Sequence, residues 1–574
     1  MMHDLVIRGG TIIDGSGGET FIADIAVQNG KIVAFGKISG TGIEEIDATG
    51  KYVTPGFVDV HTHYDGQITW ENRLSPSSGH GVTTVVMGNC GVGFAPARAT
   101  DHELIIKLME GVEDIPGVVM VAGVPWNWES FTDYLDALEQ RESDIDFATQ
   151  LPHSPLRVYV MGERGANLEP PTAGDLEQMR RLVTQAVQAG ALGVSSSRNL
   201  FHRFRSGSLA PSVKTGEDEL LALAAGLRDA GAGVFQCNPN LEHDAETEME
   251  LFVKMARASG RPVNFSLLAT PFRPDNWDRY VKALGEARAA GLTIHAQFMP
   301  RPIGVLYGLD LSFNPFCLNP SFRDIAALPL AEKLAHMRDP VFRQRLLAEE
   351  PADPNPAFTG LLKAIKHLFV LSEPASYDFK TEDSLQAKAA RLGLPEKEVI
   401  YDALLEDDGH AILCSFSSAT EDYARRVAPL IGNPGAIVAL GDGGAHYGMI
   451  CDAAYTTFLL TSWGPRLGLP QTIMALTSQP AASVGLLDRG LIATGYKADL
   501  NIIDLDRLTL RRPSIRADLP AGGKRLAQRA DGFAATIVSG TITYRDGAAT
   551  GALPGRLVRH ARPAPPRAQT AHAA

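Results

Sequence analysis

A series of short, apolar, β-branched runs through the middle of the chain limits the folds open to it more than any other feature. The runs occupy residues 57–60, 83–87, 147–151, 191–195, 234–237, 263–267, 292–297 and 436–440. Continuous apolar character over so few residues predicts strands buried on both faces. The segments between them read as helices, and residues 175–190 show it best. There Leu176, Met179, Leu182, Val183, Ala186 and Val187 fall on one helical face, and Gly190 stands where a helix-ending glycine belongs. Such a βα series is long enough to close a (β/α)8, TIM-like barrel. An open doubly wound sheet is the competing α/β arrangement. It is weakened because no Gly-x-Gly-x-x-Gly follows an early strand.

The two ends of the chain carry a different pattern. Residues 3–54 read as short strands, with Asn29-Gly30 marking a tight hairpin. Residues 498–504 read as another strand, and Ser539-Gly540 joins 536–538 to 541–544 as a second hairpin. Neither end has enough apolar residues to stand alone. The expectation is one small β-sandwich built from both ends, with two unrelated β-appendages as the alternative. The chain then divides into sandwich (1–54 and 486–550), barrel (55–485) and a Pro/Arg/Ala-rich tail (551–574) expected to be disordered. A long insertion, about 301–425, interrupts the barrel. It follows a strand end, so it is either a lid or substrate wall or a plain structural excursion.

With 574 residues the chain is too long for one simple core. Its net charge of −13 argues against nucleic acid or an acidic membrane surface as partner. Five scattered cysteines make no disulfide framework. The start has no basic-then-apolar leader, and no run is long and apolar enough to span a bilayer. A cytoplasmic location is the expectation.

Three stretches could carry chemistry. Val58-Asp59-Val60-His61-Thr62-His63 ends a buried strand in two histidines spaced i, i+2, which a strand presents on one face. Two converging imidazoles are half of a metal site, or two histidines satisfied within a loop. Asp59 and Asp65 flank them as possible acceptors for the imidazole N–H groups. Cys90, in Met87-Gly88-Asn89-Cys90, follows the next strand. It offers a soft thiolate ligand, or is an inert buried cysteine. Asp442, in Gly441-Asp442-Gly443-Gly444-Ala445-His446, follows the last strand between glycines. It is a metal-binding, proton-accepting carboxylate or a turn aspartate. His446 either contacts substrate or caps its loop. Imidazole, thiolate and carboxylate donors together suit zinc, which acidifies water and polarises a carbonyl.

These stretches resemble the amidohydrolase superfamily, and within it the N-acyl-D-amino-acid deacylase (D-aminoacylase) branch. The opening Leu5-Val6-Ile7-Arg8-Gly9-Gly10 is similar to the superfamily's β-domain start, and Pro55-Gly56-Phe57-Val58-Asp59-Val60-His61-Thr62-His63 to its first metal strand. Gly81-Val82-Thr83-Thr84-Val85-Val86-Met87-Gly88-Asn89-Cys90-Gly91 resembles the deacylase branch, where a cysteine replaces the usual carboxylated lysine. The likeness runs over nearly the whole chain. It implies metal or catalytic positions at His61, His63, Cys90 and Asp442, with Asp442 as acid–base. It also implies a His…Arg segment near the site at His153 and Arg157.

One departure matters. The branch expects a histidine after each of two mid-barrel strands, and here Asn238 and Leu267 stand there, with Ala269 at the family lysine. A single zinc per chain is what the resemblance leaves, with another divalent metal compatible with the same donors. His295, on the next strand, is a possible extra ligand. A substrate carboxylate would need another cation, for which Arg198, Arg203 and Arg301 are candidates, and His202 is a further substrate contact. The expected activity is hydrolysis of a C–N bond in an N-acyl-(D-)amino acid or similar small amide. A cyclic amide or carbamate, or a metal-free scaffold without catalysis, are the alternatives. A homo-oligomer is compatible with everything above.

Overall fold

The computed structural model describes residues 2–270, 273–352, 362, 365, 367–416 and 420–566. The apolar runs of the middle region form parallel strands. Phe57–Asp59, Val82–Met87 and Asp146–Thr149 pair in that order. After Gln150 the third strand resumes as Leu151–Pro152 and pairs onward with Gly193–Ser197, Val234–Asn238, Val263–Ser266, Ile294–Phe298 and Ala436–Val438. Beyond the strand ends the first and last runs meet. Asp442 N–H donates to the His61 carbonyl (3.1 Å), and His63 N–H donates to the Gly443 carbonyl (2.7 Å). Val58, Val60, Val86, Ala148, Leu192, Val234, Ile437 and Ala439 form one buried cluster, so alternate residues of these strands share an apolar face.

The helices follow from local signals. Ala173–Ala189 is capped by Thr172, whose hydroxyl accepts from Asp175 N–H while Asp175 returns the bond. Met179, Val183, Ala186 and Val187 face inward, and Gly190 ends the helix at φ +123°. Among the described residues no helix is long and apolar enough to cross a membrane.

Both chain ends enter one nine-stranded mixed sheet. The joint is Tyr52–Pro55, which pairs parallel with Met2–Ile12 on one side and antiparallel with Leu500–Ile503 on the other. The two hairpins form at the positions expected. Asn29 and Gly30 (φ 51° and 71°) join Phe21–Gln28 to Lys31–Gly36, and Ser539 and Gly540 (φ 49° and 76°) join Phe533–Val538 to Thr541–Arg545.

One expectation about a segment changes. Residues 551–566 are not a loose tail. Gly555 and Leu557 bridge to Ser143 and Phe147, Arg562 bridges to Leu486, and Val558 is buried in the strand cluster. An extended segment held by single bridges needs no apolar period, so composition alone concealed it. Residues 567–574 lie outside the described residues. The insertion builds its own apolar cluster around Tyr307, Phe316, Met337, Leu346 and Tyr401, with a three-stranded sheet of Gly304–Tyr307, Leu413–Phe416 and Phe369–Val370. It touches the strand-end loops through Ser312, whose hydroxyl donates to Asp114 (2.9–3.0 Å).

Candidate metal centre

Each chemical side chain sits just past the C-terminal end of a parallel strand. His61 and His63 follow Phe57–Asp59, Cys90 follows Val82–Met87, and Asp442 follows Ala436–Val438. His61, His63 and Cys90 are buried and place one ligand atom each within 4.8 Å of the others. Asp442 stands at the edge of this group, its Oδ1 3.7 Å from Nε2 of both histidines. The last loop reaches them because its glycines allow it. A Cβ on Gly441 would lie 2.2 Å from Asp59 Oδ2, and one on Gly444 (φ +89°) would lie 2.8 Å from the His63 backbone. So the glycines around Asp442 make room for the Asp59 side chain at Gly441 and for the His63 backbone at Gly444. Cys90, Asp442 and His446 all hold positive φ (56°, 47° and 51°), a conformation that L side chains seldom adopt outside constrained sites.

The donors are arranged as a cation requires. His61 Nδ1–H donates to Gln297 Oε1 at 2.7 Å, and Nε2 meets Cys90 Sγ at 3.2 Å. A proton on Nε2 makes that contact a hydrogen bond, and a metal ion would take the proton's place between the two atoms. His63 Nδ1 has no hydrogen-bond partner and lies 3.6 Å from Glu113 Oε1. This chemistry and spacing fit zinc.

Electrostatics follow the same plan. Burial acts to raise the Asp442 pKa, but the His63 hydrogen bond and the nearby His61, His63 and His446 rings outweigh it and hold the carboxyl far below its usual range. Burial also acts against a charged His61, yet Cys90 and Asp442 raise its pKa to about 9. The Cys90 thiol is penalised by burial and lowered by both histidines. His202 lies close enough to feel His63, His446 and Asp442. Burial, reinforced by His63 and His446, pushes it down to about 3, so it is neutral, and its Nδ1 is unpartnered. His446 Nε2 lies 3.6 Å from Glu113 Oε2, which makes Glu113 a link between His63 and His446.

Other residues singled out in the sequence stand elsewhere. His295 Nδ1 is 3.0 Å from Asn264 Oδ1, and His295 is not part of the ligand group. It shares a strand face with Gln297, two residues nearer the rim, and it is Gln297 that reaches His61. Asp59 accepts from the His61 backbone N–H (3.1 Å) and Asp65 from Gly88 N–H (3.1 Å), so neither receives an imidazole. His153 and Arg157 converge on buried Glu219, with His153 Nε2 and Arg157 Nε each 2.9 Å from Oε1. Arg157 also donates to the Gly165 and Glu169 carbonyls, and His153 Nδ1 lies 2.8 Å from Ser196 Oγ. Arg198 pairs with Glu248 (3.0 Å), and Arg203 donates to the Leu200 and Gly207 carbonyls. Arg301 is buried, pairs with Asp452 (2.6 Å) and stacks 4.1 Å over Tyr377. Each of these arginines is engaged within the protein. Glu113, Gln236, Gln297 and Glu219 were missed from sequence, because no local signal marks a carboxylate or carboxamide whose partner lies far along the chain.

Comparison with known proteins agrees with this architecture. An uncharacterized protein of Mycobacterium tuberculosis is 27% identical over 591 residues, covering 95% of this chain and 92% of that one. N-acyl-D-aspartate deacylase of Alcaligenes xylosoxydans xylosoxydans is 33% identical over 246 residues, 42% of this chain and 44% of the enzyme. D-aminoacylase of the same organism is 35% identical over 196 residues, 34% and 37% of the two chains. The crystal structure of D-aminoacylase matches with a TM-score of 0.64 at 22% identity, over 97% of this chain and all of that one. N-acyl-D-glutamate deacylase from Bordetella bronchiseptica, solved with zinc and a phosphonate inhibitor, matches with a TM-score of 0.63 at 23% identity and the same coverage. At those identities the structures speak to the fold alone. The family model for amidohydrolases matches residues 44–544, and the chain belongs to the amidohydrolase family.

Proposed function

We propose that this chain is a metal-dependent hydrolase of a C–N amide bond in a small molecule of the N-acyl-(D-)amino acid type. The supporting observation is the convergence of His61, His63 and Cys90 within 4.8 Å, with Asp442 Oδ1 3.7 Å from both imidazoles. In this reading the eight parallel strand runs close into a (β/α)8 barrel spanning residues 55–485. The sheet from 1–54 and 486–550 folds against it as a sandwich. The four side chains would hold one zinc, which supplies Lewis acidity and lowers the pKa of water to about 7.

The protein's own part is positioning and proton transfer. Asp442, ionised well below neutral pH, accepts the proton of the attacking water and returns it to the leaving nitrogen. Gln297 fixes the His61 tautomer, and Glu113 lies against His63 Nδ1. His202 and His446, each with an unpartnered Nδ1, offer neutral or donating contacts to substrate. A second reading is favoured by the engaged arginines. Arg198 and Arg301 are each held by an acid and Arg203 by two backbone carbonyls, and this engagement of the three candidate cations is what favours an uncharged cyclic amide or carbamate as the second reading.

Elemental analysis of protein purified without added metal or chelator, followed by assays on N-acyl D- and L-amino acids, their neutral amides and cyclic amides, separates these readings. About one zinc per chain with turnover of any panel member supports hydrolysis, and the preferred member decides between the two substrates. No bound metal and no turnover after zinc is restored would make the protein a catalytically silent family member.

A further inference from the structure

Beneath Cys90 lies a closed ring of carboxamide hydrogen bonds. Cys90 backbone N–H donates to Gln236 Oε1 (3.0 Å), Gln236 Nε2 donates to Asn238 Oδ1 (2.8 Å), and Asn238 Nδ2 donates to Cys90 Sγ (3.1 Å). Gln236 and Asn238 are both buried on Val234–Asn238, two residues apart and so on one strand face. The ring has a single polarity. A backbone N–H can only donate, so the Gln236 atom it meets is the oxygen. That turns the Gln236 amide nitrogen towards Asn238, which must answer with its own oxygen. Ser266 Oγ donates to the same Asn238 oxygen at 2.7 Å and reinforces the choice. The Asn238 amide nitrogen is left facing the sulfur. His61 Nε2 approaches that sulfur at 3.2 Å and is a proposed ligand.

We propose that Asn238, oriented by Gln236, is a positioning residue that caps the Cys90 sulfur and confines the centre to one cation per chain. A thiolate has lone pairs to spare and can serve two cations when both sides are open. Here an N–H dipole directs its positive end at the sulfur, repels a second cation and occupies the space that cation would need. Buried Leu267 follows the adjoining strand and offers no donor either. The same N–H draws charge from the sulfur, which would weaken its donation to the one metal the site would hold. This proposal rests on reading His61, His63 and Cys90 as metal ligands.

Cobalt(II) tests both the count and the sulfur. The full chain is loaded with excess cobalt, desalted and measured for cobalt per chain and for its thiolate-to-cobalt absorption band. The native protein is expected to hold one cobalt. Asn238→Leu removes the donor and is expected to move the band to lower energy. Asn238→Asp replaces the donor by a carboxylate, and the count is expected to rise from one to two. Gln236→Glu keeps the acceptor for Cys90 N–H but loses the donor that orients Asn238. It is expected to move the band in the same direction by less, and it carries the test if Asn238→Leu does not fold. Two cobalt ions in the native chain would overturn the proposal. So would a band that stays fixed in both donor variants together with a count of one in Asn238→Asp. No cobalt in the native chain would remove the ligand reading itself, and the proposal with it.

Discussion

Two buried clusters of ionisable side chains lie next to each other at the strand ends, joined where Ser154 N–H donates to the Gly91 carbonyl (2.8 Å). One is His61, His63, Cys90 and Asp442. The other is His153, Arg157 and Glu219. In the second cluster every nitrogen has a partner, although Glu219 Oε2 has none. Its guanidinium has Glu219 and two backbone carbonyls, and its imidazole has an acceptor and a hydroxyl. The first cluster is left open. His63 Nδ1 has no hydrogen bond, and two of its four residues hold positive φ. Burial and charge are similar in the two, so neither separates function from structure. Completeness does. A protein saturates buried polar groups unless something else is to meet them.

The sharpest way to break this comparison is to remove one carboxylate from each cluster. Asp442→Asn keeps size and hydrogen-bonding reach but cannot take a proton. On a verified substrate kcat is expected to fall ~10²–10⁴-fold, with a modest drop in melting temperature because the histidines that depress the carboxyl's pKa lose its charge. Full turnover in the variant would show that Asp442 is not the acid–base. Glu219→Ala is expected to do the reverse. It strands Arg157 and His153 in the interior, and loss of one partner of such a pair costs ~3–5 kcal/mol of stability. Turnover per folded molecule should survive. A loss of kcat without loss of stability would place Glu219 in the catalytic machinery and dissolve the distinction.

His80 extends the saturated class to a third place. Its ring is buried between Thr457 Oγ1 (2.8 Å) and the Gln528 carbonyl (3.0 Å), and burial lowers its pKa from 6.5 to about 4. Between those values the unfolded chain binds a proton that the folded chain refuses. Stability therefore falls as pH drops from 6.5 towards 4, by up to ~3 kcal/mol from this ring. Urea melts across that window should show the slope, and His80→Asn should reduce it, the remainder coming from His295 and His202, which burial also keeps neutral. An equal slope in the variant would assign the acid sensitivity to other groups.

What the sequence disclosed follows the range of the interactions. The strand runs and the two hairpins are written in contiguous residues, through apolar character and Asn-Gly or Ser-Gly pairs, and they appear where expected. His61 and His63 are legible for the same reason, since i, i+2 spacing on a strand is a local statement. Partners across the chain are not. Gln297 is 236 residues from His61, and a search by residue type on its strand finds His295 instead. Arg198 and Arg301 look like free cations in sequence because Glu248 and Asp452 carry no mark that they answer them. The packed segment 551–566 escaped because its contacts are single bridges to other elements.

Gln297 offers the finest test, because it is a saturated contact within the open cluster. Its Oε1 accepts from His61 Nδ1–H, so Nε2 is the free donor atom. If completeness around a ligand serves the ligand, removing the acceptor should weaken metal binding without unfolding the chain. Gln297→Leu, similar in size at a buried position, is expected to lower zinc affinity ~10–100-fold. Gln297→Glu keeps an acceptor and strengthens it, so its affinity should match or exceed the native value. Competition with a chromogenic chelator reads both. Equal affinities in all three proteins would mean that His61 is oriented by packing alone, and that the saturated contact at Gln297 belongs with Glu219 and His80 as structure.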